Sequence, residues 1–114
     1  MNECLFCAIV EGSVKAQIVY QDDQVLAFKD IAPKAPVHIL IIPRKHLAGV
    51  SNVTDQDRAV IGRIFEIAAQ LARQQRIADS GYRIVVNSGA DAGQSVLHLH
   101  YHLLGGRRMS WPPG

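Results

Sequence analysis

The sequence predicts an α+β domain in which one long and one short helix accompany a five-stranded antiparallel meander sheet. Three observations predict it. Helical spacing of apolar residues is sustained over one long stretch, from Thr54 to about Ala78. β-rich runs occur three times before that stretch and twice after it. Turn-forming residues break the chain between these runs. A doubly wound α/β fold would need more helices than this order supplies. At 114 residues the chain makes one domain, residues 1–114, without an internal repeat or linker.

In "ECLFCAIVEG", Leu5, Phe6, Ile9 and Val10 fall at helical spacing and Gly12 supplies the stop, which gives the short helix. Two strands follow, Ile18 to Tyr20 and Gln24 to Lys29, with Asp22 and Asp23 at the turn between them. The prolines of "APKAP" interrupt the pattern, and "VHILIIP" then makes a third strand closed by Pro43. Its nearly continuous apolar character places it at the centre of the sheet. Thr54 is the expected N-cap of the long helix, with Asp55 and Asp57 at its positive end and Arg73 and Arg76 at its negative end. Its apolar stripe is Val60, Ile61, Ile64, Phe65, Ala68, Leu71 and Ala72, and Gly81 marks its termination. "YRIVVN" is the fourth strand, "SGADAGQS" a loop of small residues, and "VLHLHYHLL" the fifth strand, ended by "GG".

Apolar residues make up 48% and charged ones 19%, which excludes a disordered or low-complexity chain. The net charge of +2 is dispersed, so nucleic acid is not an expected partner. The opening "MNECLFCAIVEG" has Glu3 and too short an apolar run for a signal core or a bilayer span. A cytoplasmic protein with reduced cysteines and no membrane partner is expected. No acidic residue follows Asp91, while Arg107 and Arg108 do, so the C-terminal fifth should favour anions.

"HLHYHLL" carries His98, His100 and His102 at alternate positions. In a strand they share one face with Val96 and Leu104, while Leu97, Leu99, Tyr101 and Leu103 take the other. His98 and His102 would then stand about 13 Å apart along the backbone, too far for all three to hold one ion easily. Three imidazoles in register cost desolvation without the packing that Val would give, so the pattern points to chemistry. A metal-dependent hydrolase would pair two of them with a further ligand, and no carboxylate lies downstream to supply it. A nucleophilic imidazole needs an anion cradle instead, and "NSGADAGQS" just upstream offers Asn87, Gly89, Gly93 and Ser95.

Together with "YQDDQVLAFKDIAPKAPVHILIIPRKH", "GYRIVVNSGADAGQSV" and "LLGGRRMSWPPG", the histidine motif resembles the histidine triad superfamily, specifically its Hint branch of nucleotide-binding proteins. The likeness spans essentially the whole chain. It implies a HIT-like fold and a purine nucleoside phosphoramidase, which cleaves the P–N bond of AMP or GMP phosphoramidates through a nucleotidyl-histidine. By position His100 is the nucleophile, and His102 and Ser95 contact the phosphate. Asn87 and the backbone of Gly93 and Gln94 complete the cradle. The resemblance implies Asp30 as ribose acceptor and an apolar purine slot of Phe28, Ile31 and Val14 or Ile18. His38 is a candidate to support the site, or equally a satisfied core histidine. Trp111 implies a homodimer in which it approaches the partner's site; a frayed tail is the plainer alternative. A nucleotide-binding regulatory or scaffold protein is a further alternative for the whole chain.

"CLFC" is half of a metal or redox site in a reduced compartment. In some bacterial members of the superfamily this pair binds zinc with two histidines, here His46 and His98. That would be a closed structural site needing no catalytic cofactor. Reduced, partly buried cysteines are the alternative, and the animal Hint proteins lack the pair.

Overall fold

Asp22 shows how the first hairpin is closed. Its Oδ1 accepts the backbone N–H groups of Gln24 and Val25, both at 2.8 Å, so the acid at the turn acts as a local template. The structure, a computed structural model, describes residues 3–114. On either side of this turn lie β1, Ile18–Gln21, and β2, Val25–Lys29; β3, Val37–Pro43, follows where "VHILIIP" places it. The short helix α1 spans Leu5–Glu11 and ends at Gly12, whose φ of 84° suits a residue without Cβ. The long helix α2 spans Arg58–Gln74, and β4, Tyr82–Val86, and β5, Tyr101–Gly105, complete the set.

The sheet is five-stranded and antiparallel, in the order β1-β2-β3-β5-β4, with β3 at its centre. The meander therefore holds through β3 and is then interrupted once. The connection through α2 skips a place, and β5 fills it between β3 and β4.

Each sheet face has its own core. On one, α2 contributes Ile64, Ile67, Ala68, Leu71 and Ala72 against Val25, Ala27, Ile39, Ile41, Tyr101 and Leu103. On the other, α1 lays Phe6 and Ile9 over Leu26, Phe28, Leu40 and Ile42. This second face bears the site. Its register aligns Ile18, Phe28, Leu40, His102 and Val85 as one row across all five strands.

Four expectations about elements are corrected. The start of the long helix is a separate 3-10 turn, Asp55–Asp57, where Thr54 and Asp57 form a reciprocal capping box. The helix stops at Gln74 rather than near Ala78, because Arg76 takes a left-handed φ of 60°. Ile77 then turns inward to become 3% exposed, while Phe65 of the expected stripe is half exposed and Ile67 takes a core place. Finally, β5 begins at Tyr101, so His98 and His100 precede the strand. In that stretch Leu99 N–H donates to the Leu47 carbonyl.

Candidate functional site

His100 is 4% exposed, and its Nδ1 lies 2.8 Å from the His98 carbonyl. A carbonyl only accepts, so Nδ1 must carry the proton and Nε2 is left with a bare lone pair. The ring centroid of His102 is 5.0 Å away. A chain of hydrogen bonds fixes that second ring. The Lys34 backbone N–H donates to His38 Nδ1 at 3.0 Å, which leaves the proton on His38 Nε2. That nitrogen donates to His102 Nδ1 at 2.9 Å, so His102 presents a protonated Nε2. Adjacent imidazoles are thus held in opposite tautomers, one prepared to attack and one to donate.

Burial suppresses charge on His102 and His38. His102 is pushed down to about 4, first by burial and then by the neighbouring His100 and His38, against the opposing pull of Asp30. His38 is lowered by burial, with Asp30 opposing and Lys34 assisting. Asp30 Oδ2 stands 3.4 Å from His38 Nε2, and Oδ1 accepts the Ala32 N–H at 2.8 Å. Asp30 therefore serves both as turn residue and as an acid facing the imidazoles.

A recess of about 380 Å³ opens here, lined by Asp30, His38, Asn87 and His102 with Lys34, Arg83 and Arg107. Of the expected nucleotide contacts, Asp30, Asn87 and His102 are brought together, with the candidate supporting residue His38 beside them. Phe28, 4% exposed, and Ile18 share the row of His102. Val14, Ile18 and Ile31 are exposed, so that side of the expected purine slot is open.

The cradle differs from expectation. Gly93 N–H donates to the Ala90 carbonyl and Gln94 N–H to the Gly89 carbonyl, so both are engaged within their own loop. The Gln94 side chain braces that loop by accepting from Gly89 N–H and donating to the Ala48 and Val96 carbonyls. Ser95 is exposed and lines a separate open pocket with Cys4, Cys7 and His46 rather than the recess of His102. Small-residue composition revealed the loop but not where its donors are used. Trp111 is 82% exposed, and its neighbours Met109 and Pro113 line this chain's own recess. Arg83 holds that tail by donating to the Ser110 carbonyl at 3.0 Å.

Cys4, Cys7, His46 and His98 meet at the other end of the row, with one donor atom from each within 4.8 Å of the rest. Sulfur to imidazole Nδ1 distances are 3.3 Å for Cys4–His98, 3.3 Å for Cys7–His46 and 3.5 Å for Cys7–His98. The two Nδ1 atoms are 3.2 Å apart. A tetrahedral ion with Zn–S of about 2.3 Å and Zn–N of about 2.0 Å would set such edges at about 3.5 and 3.3 Å. The donors fit. His98 Nε2–H donates to the Pro43 carbonyl at 2.8 Å, which leaves Nδ1 as ligand atom. The Pro43 acceptor and the Lys34 donor were invisible in the sequence, because backbone groups leave no residue signature.

The HIT domain family matches residues 11–109. The chain belongs to the HIT family. A HIT-like protein of Synechocystis is 47% identical over 113 residues, covering 99% of this chain and 98% of that protein. The crystal structure of a HIT family hydrolase from Legionella pneumophila superposes with a TM-score of 0.97 at 47% identity, covering 98% of this chain and all of the other. A histidine triad nucleotide-binding protein from Candida albicans is 29% identical with a TM-score of 0.82, covering 96% of this chain and 83% of that one. In this HIT chain the triad is therefore not a uniform row. His98 belongs to the thiol cluster, His100 is the buried imidazole with a free lone pair, and His102 faces the recess.

Proposed function

We propose that this HIT chain is a hydrolase of purine nucleoside phosphoramidates, releasing AMP or GMP and an amine. The observation that carries the reading is the fixed tautomer of His100, whose Nδ1–H is held by the His98 carbonyl and whose Nε2 is bare. Nε2 attacks phosphorus, the P–N bond breaks, and its electron pair leaves on the amine, which takes up a proton. His102 Nε2–H and Asn87 are positioned to donate to phosphoryl oxygens, and the absence of acidic residues after Asp91 favours the anion. Water then cleaves the P–N bond to His100 and restores the imidazole. Names of relatives support hydrolysis and nucleotide binding as the class of activity.

The test is incubation with an adenosine phosphoramidate of lysine or tryptamine. The expected result is an AMP-sized mass increment on the wild-type chain that His100→Ala lacks. Turnover without any such adduct would refute the covalent route. If catalysis is incidental to a regulatory or scaffolding role, inactive His100→Ala will still complement a strain lacking the protein.

The second part of the reading is a structural zinc ion on Cys4, Cys7, His46 and His98, supported by the near-tetrahedral edges of that cluster. Four protein donors would leave no open position for substrate, which sets this centre apart from a metal-dependent hydrolase. Elemental analysis should give one zinc per chain, lost in Cys7→Ser. A cytoplasmic, reducing setting suits the paired thiols. Among the described residues, no helix is long and apolar enough to cross a membrane. We also propose a homodimer to which Trp111 contributes, and light scattering of the wild type and Trp111→Ala tests it.

A further inference from the structure

Phe6 lies between the two cysteines in sequence and is absent from the reaction described above. It is 5% exposed, and its ring stands edge-on to three others. The ring centroids are 5.1 Å apart for His100, at an interplanar angle of 87°, and 6.0 Å for His98, at 70°. Phe28 is met at 5.4 Å.

We propose that Phe6 is a positioning residue for His100, and that the Cys4, Cys7, His46 and His98 cluster clamps it in place. The proposal rests on the reading of His100 as nucleophile. Two separate links join the cluster to that imidazole. Through the backbone, His98 contributes its side chain to the cluster and its carbonyl to His100 Nδ1. Through α1, the thiols of Cys4 and Cys7 hold a helix of seven residues, too short to be stable alone, and that helix carries Phe6 onto the ring of His100.

The two links restrict different motions. The carbonyl selects which nitrogen is protonated, and the perpendicular phenyl ring resists the rotation about Cβ–Cγ that would put Cδ2 in place of Nδ1 and break that hydrogen bond. Holding a reactant within its attack geometry is worth large rate factors, and losing about 1 Å of it can cost about a hundredfold. If Phe6 were only a core residue, its loss would lower stability without altering the tautomer of His100.

Phe6→Leu keeps apolar volume and removes the aromatic ring packed against His100. The expected result is a fall in kcat of about tenfold with KM within about twofold. In the ¹⁵N spectrum of the resting protein at neutral pH, His100 should change from one Nδ1–H tautomer to a mixture, and Cys4→Ser should produce the same change. Ile9→Ala, on the same helix and 7% exposed, is the control. It should lower Tm at least as much as Phe6→Leu while preserving kcat and the His100 spectrum. Equal losses of kcat in Phe6→Leu and Ile9→Ala would overturn the proposal, as would an unchanged His100 spectrum in Phe6→Leu and Cys4→Ser. Failure to find a nucleotidyl adduct on wild type would end the phosphoramidase reading. The spectrum of the resting protein would still decide the role of Phe6.

Discussion

The two faces of the sheet are built from the same five strands and spend their burial differently. Under α2, the interior is apolar wherever the strands meet the helix, from Val25 to Leu103. Under α1 the cover is a single short helix, and His98 and His100 lie buried beside it while His102 borders the open end. The first face gains from every buried methylene, at roughly 25 cal/mol per Å² of apolar surface. The second accepts the desolvation of imidazoles, each compensated by hydrogen bonds. Stability and chemistry are thereby assigned to opposite sides of one β-sheet, and substitutions should separate them.

The sharpest separation is at His100. With His100 as the nucleophile proposed above, His100→Ala should lower phosphoramidate turnover by at least about a thousandfold, since no other group would replace it. Its Tm should stay near that of the wild type, and a parallel collapse in Tm would blur the two faces. The converse variant is Leu71→Ala on the helical face, where the side chain is 0% exposed. It should cost about 2–5 kcal/mol in denaturant unfolding while kcat of the folded fraction is preserved. A loss of kcat there would show that the faces are coupled.

A smaller effect concerns charge on the catalytic face. NMR titration should place the protonation of His102 at about 4 rather than the ordinary 6.5, because burial and two neighbouring imidazoles oppose the cation. The unfolded chain binds this proton first. Stability from this group is therefore complete above 6.5 and declines as pH falls toward 4. A midpoint above 6 would contradict the hydrogen bond from His38.

The smallest effect lies where the first hairpin meets α2. Burial raises the Asp22 carboxyl, but hydrogen bonds from Gln24, Tyr20, Val25 and Arg63 outweigh it and bring it from 3.8 to about 2. Arg63 reaches from α2 to both Asp22 and Tyr20, at 3.2 and 2.8 Å. This stabilisation is present above 3.8 and is lost as pH falls toward 2, so Asp22→Asn should flatten that part of the acid-unfolding curve.

Where side-chain pattern governed the outcome, the sequence was informative. The nearly continuous apolar run of "VHILIIP" identified the central strand and both its ends. Asp22, Gly12 and Thr54 announced their turns and caps through their own chemistry. Legibility ended where backbone decided. Arg76 adopts a left-handed conformation usually given to glycine, so the end of α2 had no marker. His98 and His100 were expected in a strand, at a spacing too long for all three histidines to hold one ion easily. Their irregular backbone instead turns His98 toward the cysteines and His100 toward its own neighbour's carbonyl. The imidazole cluster itself was legible because buried histidines at such density have no packing advantage. The resemblance implied a separate place for each histidine, and the hydrogen bonds that hold each ring needed coordinates.

Gly105 carries a last consequence, for the reading of mutational scans. A Cβ at this position would come within 2.5 Å of Ile77 Cδ1 and 3.1 Å of Ile77 Cβ. Any side chain there must push the Ile77 Cδ1 methyl aside and crowd its Cβ. In a screen for activity, Gly105 should therefore score as sensitive beside the histidines that precede it. Its sensitivity would map a steric keyhole and not a reacting group, and a compensating smaller residue at Ile77 is the second-site change that should restore it.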